Sequence, residues 1–136
     1  MSLVLDASVT LAFLYRDEDS ALPGRVFRQV AASHAVVPSL WRLEVANALT
    51  AGLRRNRIDR AFRDAALADL GVLQIVVDHE TDGCAWSATL ALADRHGLSL
   101  YDAAYLELAV RLGLPLGSLD TALLAAARAE GVAVLA

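Results

Sequence analysis

Short apolar runs alternate with longer amphipathic ones along the chain, and most runs end in a turn signal. "LVLD", residues 3–6, has strand length, and "ASVTLAFLY" directly after it shifts to helical spacing until "RDEDSALPG" breaks it. "GRVFRQVAAS" is helical, and "AVVP" is a second strand stopped by Pro38. Ser39 is placed to cap the next helix, "LWRLEVANALTAGLRR". After a turn at Asn56, "DRAFRDAALADL" makes another helix, and "VLQIVV" is a β-branched run of strand length. "TDGCAWSATLALADRHG" reads as one helix ending at Gly97, and "LYDAAYLELAVRLG" as the next, closed by Gly113. "LPLGSL" is a short strand, "DTALLAAARAEG" a helix, and "VAVL" a final strand. Strands alternating with helices predict βα crossovers, hence an α/β fold with a central parallel sheet and helices on both faces. There is no internal repeat or linker, so residues 1–136 are expected to form a single domain.

In such sheets ligands gather at the carboxyl ends of the strands. Asp6 lies at the end of the first strand, and Asp120 follows "LPLGSL" in the same way. An acid in an apolar run raises a question, because burying a lone carboxylate costs several kcal/mol. Most of the 16 acids raise none. Asp17, Glu18 and Asp19 form a solvated loop run; Asp59, Asp64 and Asp69 sit among arginines on a polar helix; Glu107 and Arg111 make an exposed i,i+4 pair; Asp78 reads as a cap. Asp6, Glu44, Asp102 and Asp120 resist that reading. On a helical wheel Glu44 shares a side with Leu40, Leu43, Asn47, Ala48 and Ala51, and Asp102 shares one with Tyr105, Leu106 and Ala109. Local alternatives exist for three of them. Asp120 could be an N-cap, Asp102 a first-turn acid favoured by the helix dipole, and Asp6 an acceptor of backbone N–H groups.

Taken together, four carboxylates in apolar settings repel one another unless a cation joins them. An all-oxygen set suits Mg²⁺ or Mn²⁺. His34, His79, His96 and Cys84 show no zinc spacing. The net charge of −4 argues against a protein that merely coats nucleic acid. All 12 basic residues are arginine, so mechanisms that need a lysine are excluded. No apolar run has membrane-span length, and no export signal is read. A lone cysteine fits a reducing cytoplasm, the expected location.

The stretches "LDASVTLAFL", "VPSLWRLEVANAL", "LSLYDAAYLELA" and "GSLDTALLAAA" resemble, in order and spacing, the motifs of PIN-domain ribonucleases, with VapC-type toxins of toxin–antitoxin pairs the nearest in pattern. The resemblance implies a three-layer α/β/α PIN-like fold. It implies a toxin that is a Mg²⁺- or Mn²⁺-dependent endoribonuclease, with Asp6, Glu44, Asp102 and Asp120 as both catalytic and metal-binding residues. Ser118 and Asn47 stand where the family has supporting polar residues, whereas Leu123 and Leu124 stand where some members carry a further ligand. It also implies cleavage leaving a 5′-phosphate and a 3′-hydroxyl, an antitoxin partner and a homodimer. Apolar surface near Trp41 or Phe13 is the expected place for such contacts. Arg54, Arg55 and Arg57 are candidate RNA contacts, with Arg60 and Arg63 close by. A non-catalytic PIN-like interaction module is the alternative.

Overall fold

The computed structural model describes residues 2–15 and 21–135, so the acidic run at Asp17, Glu18 and Asp19 lies outside the described residues. The elements are β1 (Leu3–Leu5), α1 (Ala7–Leu14), α2 (Leu22–Ala32), β2 (Ala35–Val37), α3 (Trp41–Arg54), α4 (Arg60–Gly71) and β3 (Ile75–Val77). They continue with α5 (Thr81–Cys84), α6 (Ala88–His96), α7 (Leu100–Leu112), β4 (Leu116–Gly117), α8 (Thr121–Ala129) and β5 (Val134–Leu135).

The strands form one parallel sheet in the order β3-β2-β1-β4-β5. The chain steps outward from β1 to β2 and β3, then returns to the other side of β1. The direction of winding therefore reverses between β1 and β4, the kind of switch point at which ligands of open α/β sheets gather. Leu3, Val4 and Leu5 are wholly buried, as a central strand covered on both faces requires. α1 packs on α2 and α3, and α7 packs on α6 and α8, giving the three-layer α/β/α arrangement. From Ala103 to Ala109 every residue of α7 is buried, so this helix is part of the core.

Several sequence expectations are corrected. The helix expected from Thr81 to Gly97 is two helices, α5 and α6, because Ser87 leaves helical geometry. Ser39 makes no cap: Leu40 occupies the N-cap of α3 with no side-chain bond, and Trp41 N–H is held by the Pro38 carbonyl. The Glu107–Arg111 pair is not exposed, since Glu107 is buried. A helical wheel cannot show that α7 is covered on all sides. Asp78 is not the N-cap of α5, a position that Glu80 holds without a side-chain bond; it accepts from the Thr81 hydroxyl and the Glu80 N–H just ahead of that helix, and it pairs with Arg111. Gly97 and Gly113 end α6 and α7 in left-handed geometry, as their glycine chemistry predicts.

Candidate active site

Asp6 follows β1 in extended geometry and occupies the N-cap of α1 without capping it. Its side chain is buried, and its Oδ2 accepts from Ser8 Oγ at 2.6 Å and Ser118 Oγ at 2.8 Å. Each hydroxyl is itself anchored to the turn between β4 and α8. Ser8 Oγ accepts from the Leu119 N–H at 3.0 Å, and Ser118 Oγ from the Asp120 N–H at 3.0 Å. Two backbone donors of one loop thus reach one carboxylate oxygen through two serines. Behind them, Trp41 Nε1 donates to Thr10 Oγ1 at 3.2 Å, and Thr10 Oγ1 donates to the Asp6 carbonyl at 3.3 Å.

The other acids stand at helix starts as well. Asp120 is the N-cap of α8, with Oδ1 accepting from the Leu123 N–H at 3.0 Å. Asp102 lies in the first turn of α7, where Ser99 supplies the cap. Glu44 lies in the first turn of α3, and its Oε1 accepts from the buried Tyr105 hydroxyl at 2.5 Å. Four helix N-termini therefore carry the four acids, and their partial positive charge offsets part of the crowding.

That offset is incomplete. Burial is the first cause that raises the Asp6 carboxyl above its ordinary pKa; its serine bonds oppose this and Asp120 adds to it. Glu44 is raised by burial, with Asp6 and Asp102 adding to the shift against the Tyr105 bond. Asp102 is raised by burial, then by Asp120 and Asp6. Each of the four is thus linked by repulsion to at least one other. None makes an ion pair with a described residue. Among the described residues, no three His, Cys, Asp or Glu side chains stand together as a formed metal-binding group. The donors fit a hard, oxygen-seeking dication by chemistry and charge.

Ser118 is wholly buried against Asp6, whereas Asn47 is exposed and bonded to none of the acids. The wheel face expected around Glu44 is corrected too. Leu43 is 76% exposed, the buried face runs through Trp41, Val45, Leu49 and Gly52, and Glu44 borders it. Trp41 is a core residue and not a docking surface, while Phe13 is exposed and stacks on Phe27. Arg54, Arg55 and Arg57 are exposed at the far end of α3, about 15 Å along the helix from Glu44. Ser8, Tyr105 and Thr10 were not singled out from the sequence. A hydroxyl two residues after Asp6 is the one signal the sequence offers, and Tyr105 enters the helical wheel only as part of an apolar face.

A PIN domain family model matches residues 3–135. The chain belongs to the PIN-domain family. This PIN domain is 32% identical over 120 residues to a protein of Pyrobaculum aerophilum named Ribonuclease VapC3, covering 88% of this chain and 90% of that one. Its fold is similar to the crystal structure of PAE2754 from Pyrobaculum aerophilum, with a TM-score of 0.68, 27% identity, and coverage of 99% and 92% of the two chains. It also matches the fold of VapBC2 from Rickettsia felis, solved bound to a DNA fragment from their promoter, with a TM-score of 0.66, 11% identity, and coverage of 98% and 97%. No helix among the described residues is long and apolar enough to cross a membrane.

Proposed function

We propose that this PIN domain is a divalent-metal-dependent endoribonuclease and the toxin of a toxin–antitoxin pair. The observation that carries the reading is four carboxylates at helix starts, each coupled by repulsion to another and none paired with a cation among the described residues. The printed name of the Pyrobaculum relative supports ribonuclease activity, and the Rickettsia VapBC2 complex supports an antitoxin partner. A homodimer acting in the cytoplasm belongs to the same reading.

Asp6, Glu44, Asp102 and Asp120 would hold Mg²⁺ or Mn²⁺. Bound there, the ion supplies Lewis-acid polarisation of a phosphodiester and easier ionisation of water. The protein's own part is orientation. Ser8 and Ser118 fix one oxygen of Asp6, Tyr105 fixes one oxygen of Glu44, and the Leu123 N–H fixes one of Asp120. Such fixing lowers the reorganisation needed when substrate arrives. The test is cleavage of single-stranded RNA with Mg²⁺ or Mn²⁺, with EDTA, and by Asp6→Asn. Activity that survives EDTA or this substitution defeats the reading.

A further inference from the structure

The α3–α4 junction bears features that the acids do not need. Arg54, Arg55, Arg57 and Arg60 are exposed and make no ion pair with a described residue, in a chain whose net charge is −4. The dipole at the end of α3 explains Arg54 and Arg55. It does not explain Arg57, which lies beyond the helix, or Arg60, which begins α4 where the dipole opposes a cation.

The junction is also rigidly built. Asn56 adopts left-handed geometry (φ 58°), the Arg57 N–H bonds the Gly52 carbonyl at 2.9 Å, and the Asn56 N–H bonds Leu53 at 3.1 Å. These two bonds and the left-handed residue make a Schellman motif, which fixes the direction in which Arg57 leaves the helix. The Arg57 guanidinium lies 4.2 Å from the centre of the Tyr15 ring. Phe62, 38% exposed, lies nearly parallel to Tyr15 at 6.0 Å. Gly52 admits this aromatic, because a Cβ there would stand 2.6 Å from the Tyr15 hydroxyl oxygen.

We infer that Tyr15, Phe62 and the arginines at positions 54, 55, 57 and 60 form a subsite for single-stranded RNA, remote from the four acids. Guanidinium groups bind phosphates, and the exposed ring and the Arg57 plane stack unpaired bases. A duplex, whose bases are already stacked, satisfies only the first contact. The subsite rests on the ribonuclease reading for its link to cleavage. Asp6 and Tyr15 flank α1, and Glu44 and Arg54 lie in α3, so both helices run from the acids toward the junction. The separation is about 15 Å, roughly four nucleotides at a stacked rise. Substrates therefore carry an unpaired stretch of at least that length beside the scissile bond.

The experiment is binding of the Asp6→Asn chain, in EDTA, to a labelled single-stranded RNA of about twelve nucleotides and to a hairpin of equal length. Replacing Arg54, Arg57 and Arg60 together by Ala is expected to weaken single-strand binding tenfold or more. It should also make the slope of log affinity against log salt shallower by about two, as expected for three lost phosphate contacts on a single strand. Phe62→Ala is expected to lose roughly tenfold on the single strand and little on the hairpin. Arg128→Ala, at an exposed position of α8, is the control and should change neither. In the otherwise wild-type chain the triple arginine variant should raise KM for long RNA while kcat is kept. Wild-type binding by the triple variant overturns the subsite. So does equal loss on hairpin and single strand by Phe62→Ala, or loss of affinity for a poly-glutamate peptide without loss for RNA. If the wild-type chain does not cleave RNA yet these binding losses occur, the subsite stands and the ribonuclease reading falls.

Discussion

Arg111, near the end of α7, is surrounded by acids. It reaches Asp78 at 2.8 Å, Glu80 at 3.0 Å and Glu107 at 2.8 Å. At the start of the same helix, Asp102 stands with Asp6, Glu44 and Asp120 and with no ion pair. The two groups use the same side chains to opposite ends. Where the fold supplies its own cation, the acids are satisfied: Asp78 is held below its ordinary pKa, first by its Arg111 hydrogen bond. Where it does not, burial and repulsion hold Asp6, Glu44 and Asp102 above theirs. An acid cluster therefore signals a missing cation only after internal cations have been counted.

The largest effect should come from removing the internal cation. Arg111→Met leaves Glu107 buried without a partner, and about 3–5 kcal/mol of stability should be lost. Thermal melts should fall by on the order of 10 °C, and an unchanged melt would show that the hub adds nothing. Next in size, Asp6→Asn or Asp102→Asn should slow RNA cleavage about a hundredfold or more, near 2.7 kcal/mol. Glu107→Gln should leave the rate intact while lowering stability. Equal losses of rate would erase the distinction between the clusters.

A smaller effect, of about 1 kcal/mol, separates them by pH. Asp6, Glu44 and Asp102 have raised folded-state pKa values, so the folded chain holds more protons than the unfolded one. Their contribution is fully present below the unfolded pKa and is lost as pH rises through the raised values. Asp78, with a lowered pKa, contributes above the unfolded value and loses that contribution as pH falls through its folded pKa. In EDTA, Asp6→Asn and Asp102→Asn should thus melt above wild type near neutral pH, and added Mg²⁺ should narrow the gap. Melts well below wild type would make these acids structural hydrogen-bond partners. Least of all, Tyr105→Phe should cost cleavage a few-fold by freeing Glu44, about 1 kcal/mol, and exposed Asp64→Asn should change nothing.

Much of this was legible in the sequence. β1, β2 and the parallel order follow from short apolar runs between helical ones, and Asp6 and Asp120 were marked by their place at strand ends. Asp102 was marked by its apolar companions. Glu44 was found by a face assignment that proved wrong, because Leu43 and Asn47 point to solvent. What periodicity could not show was coverage from several sides at once, so the buried Glu107 was read as exposed. Nor could it show contacts between distant segments. Tyr105 meets Glu44 across 61 positions and Ser118 meets Asp6 across 112.

The two tryptophans differ as sharply as the two acid clusters, since Trp86 is 91% exposed and Trp41 only 4%. Trp41 is hydrogen-bonded to Thr10, which is bonded in turn to the Asp6 carbonyl. A Trp86→Phe chain would therefore carry a single tryptophan, excitable apart from the three tyrosines and bonded to the start of α1. Its emission would report the filling of the acid site optically, with no RNA in the cuvette.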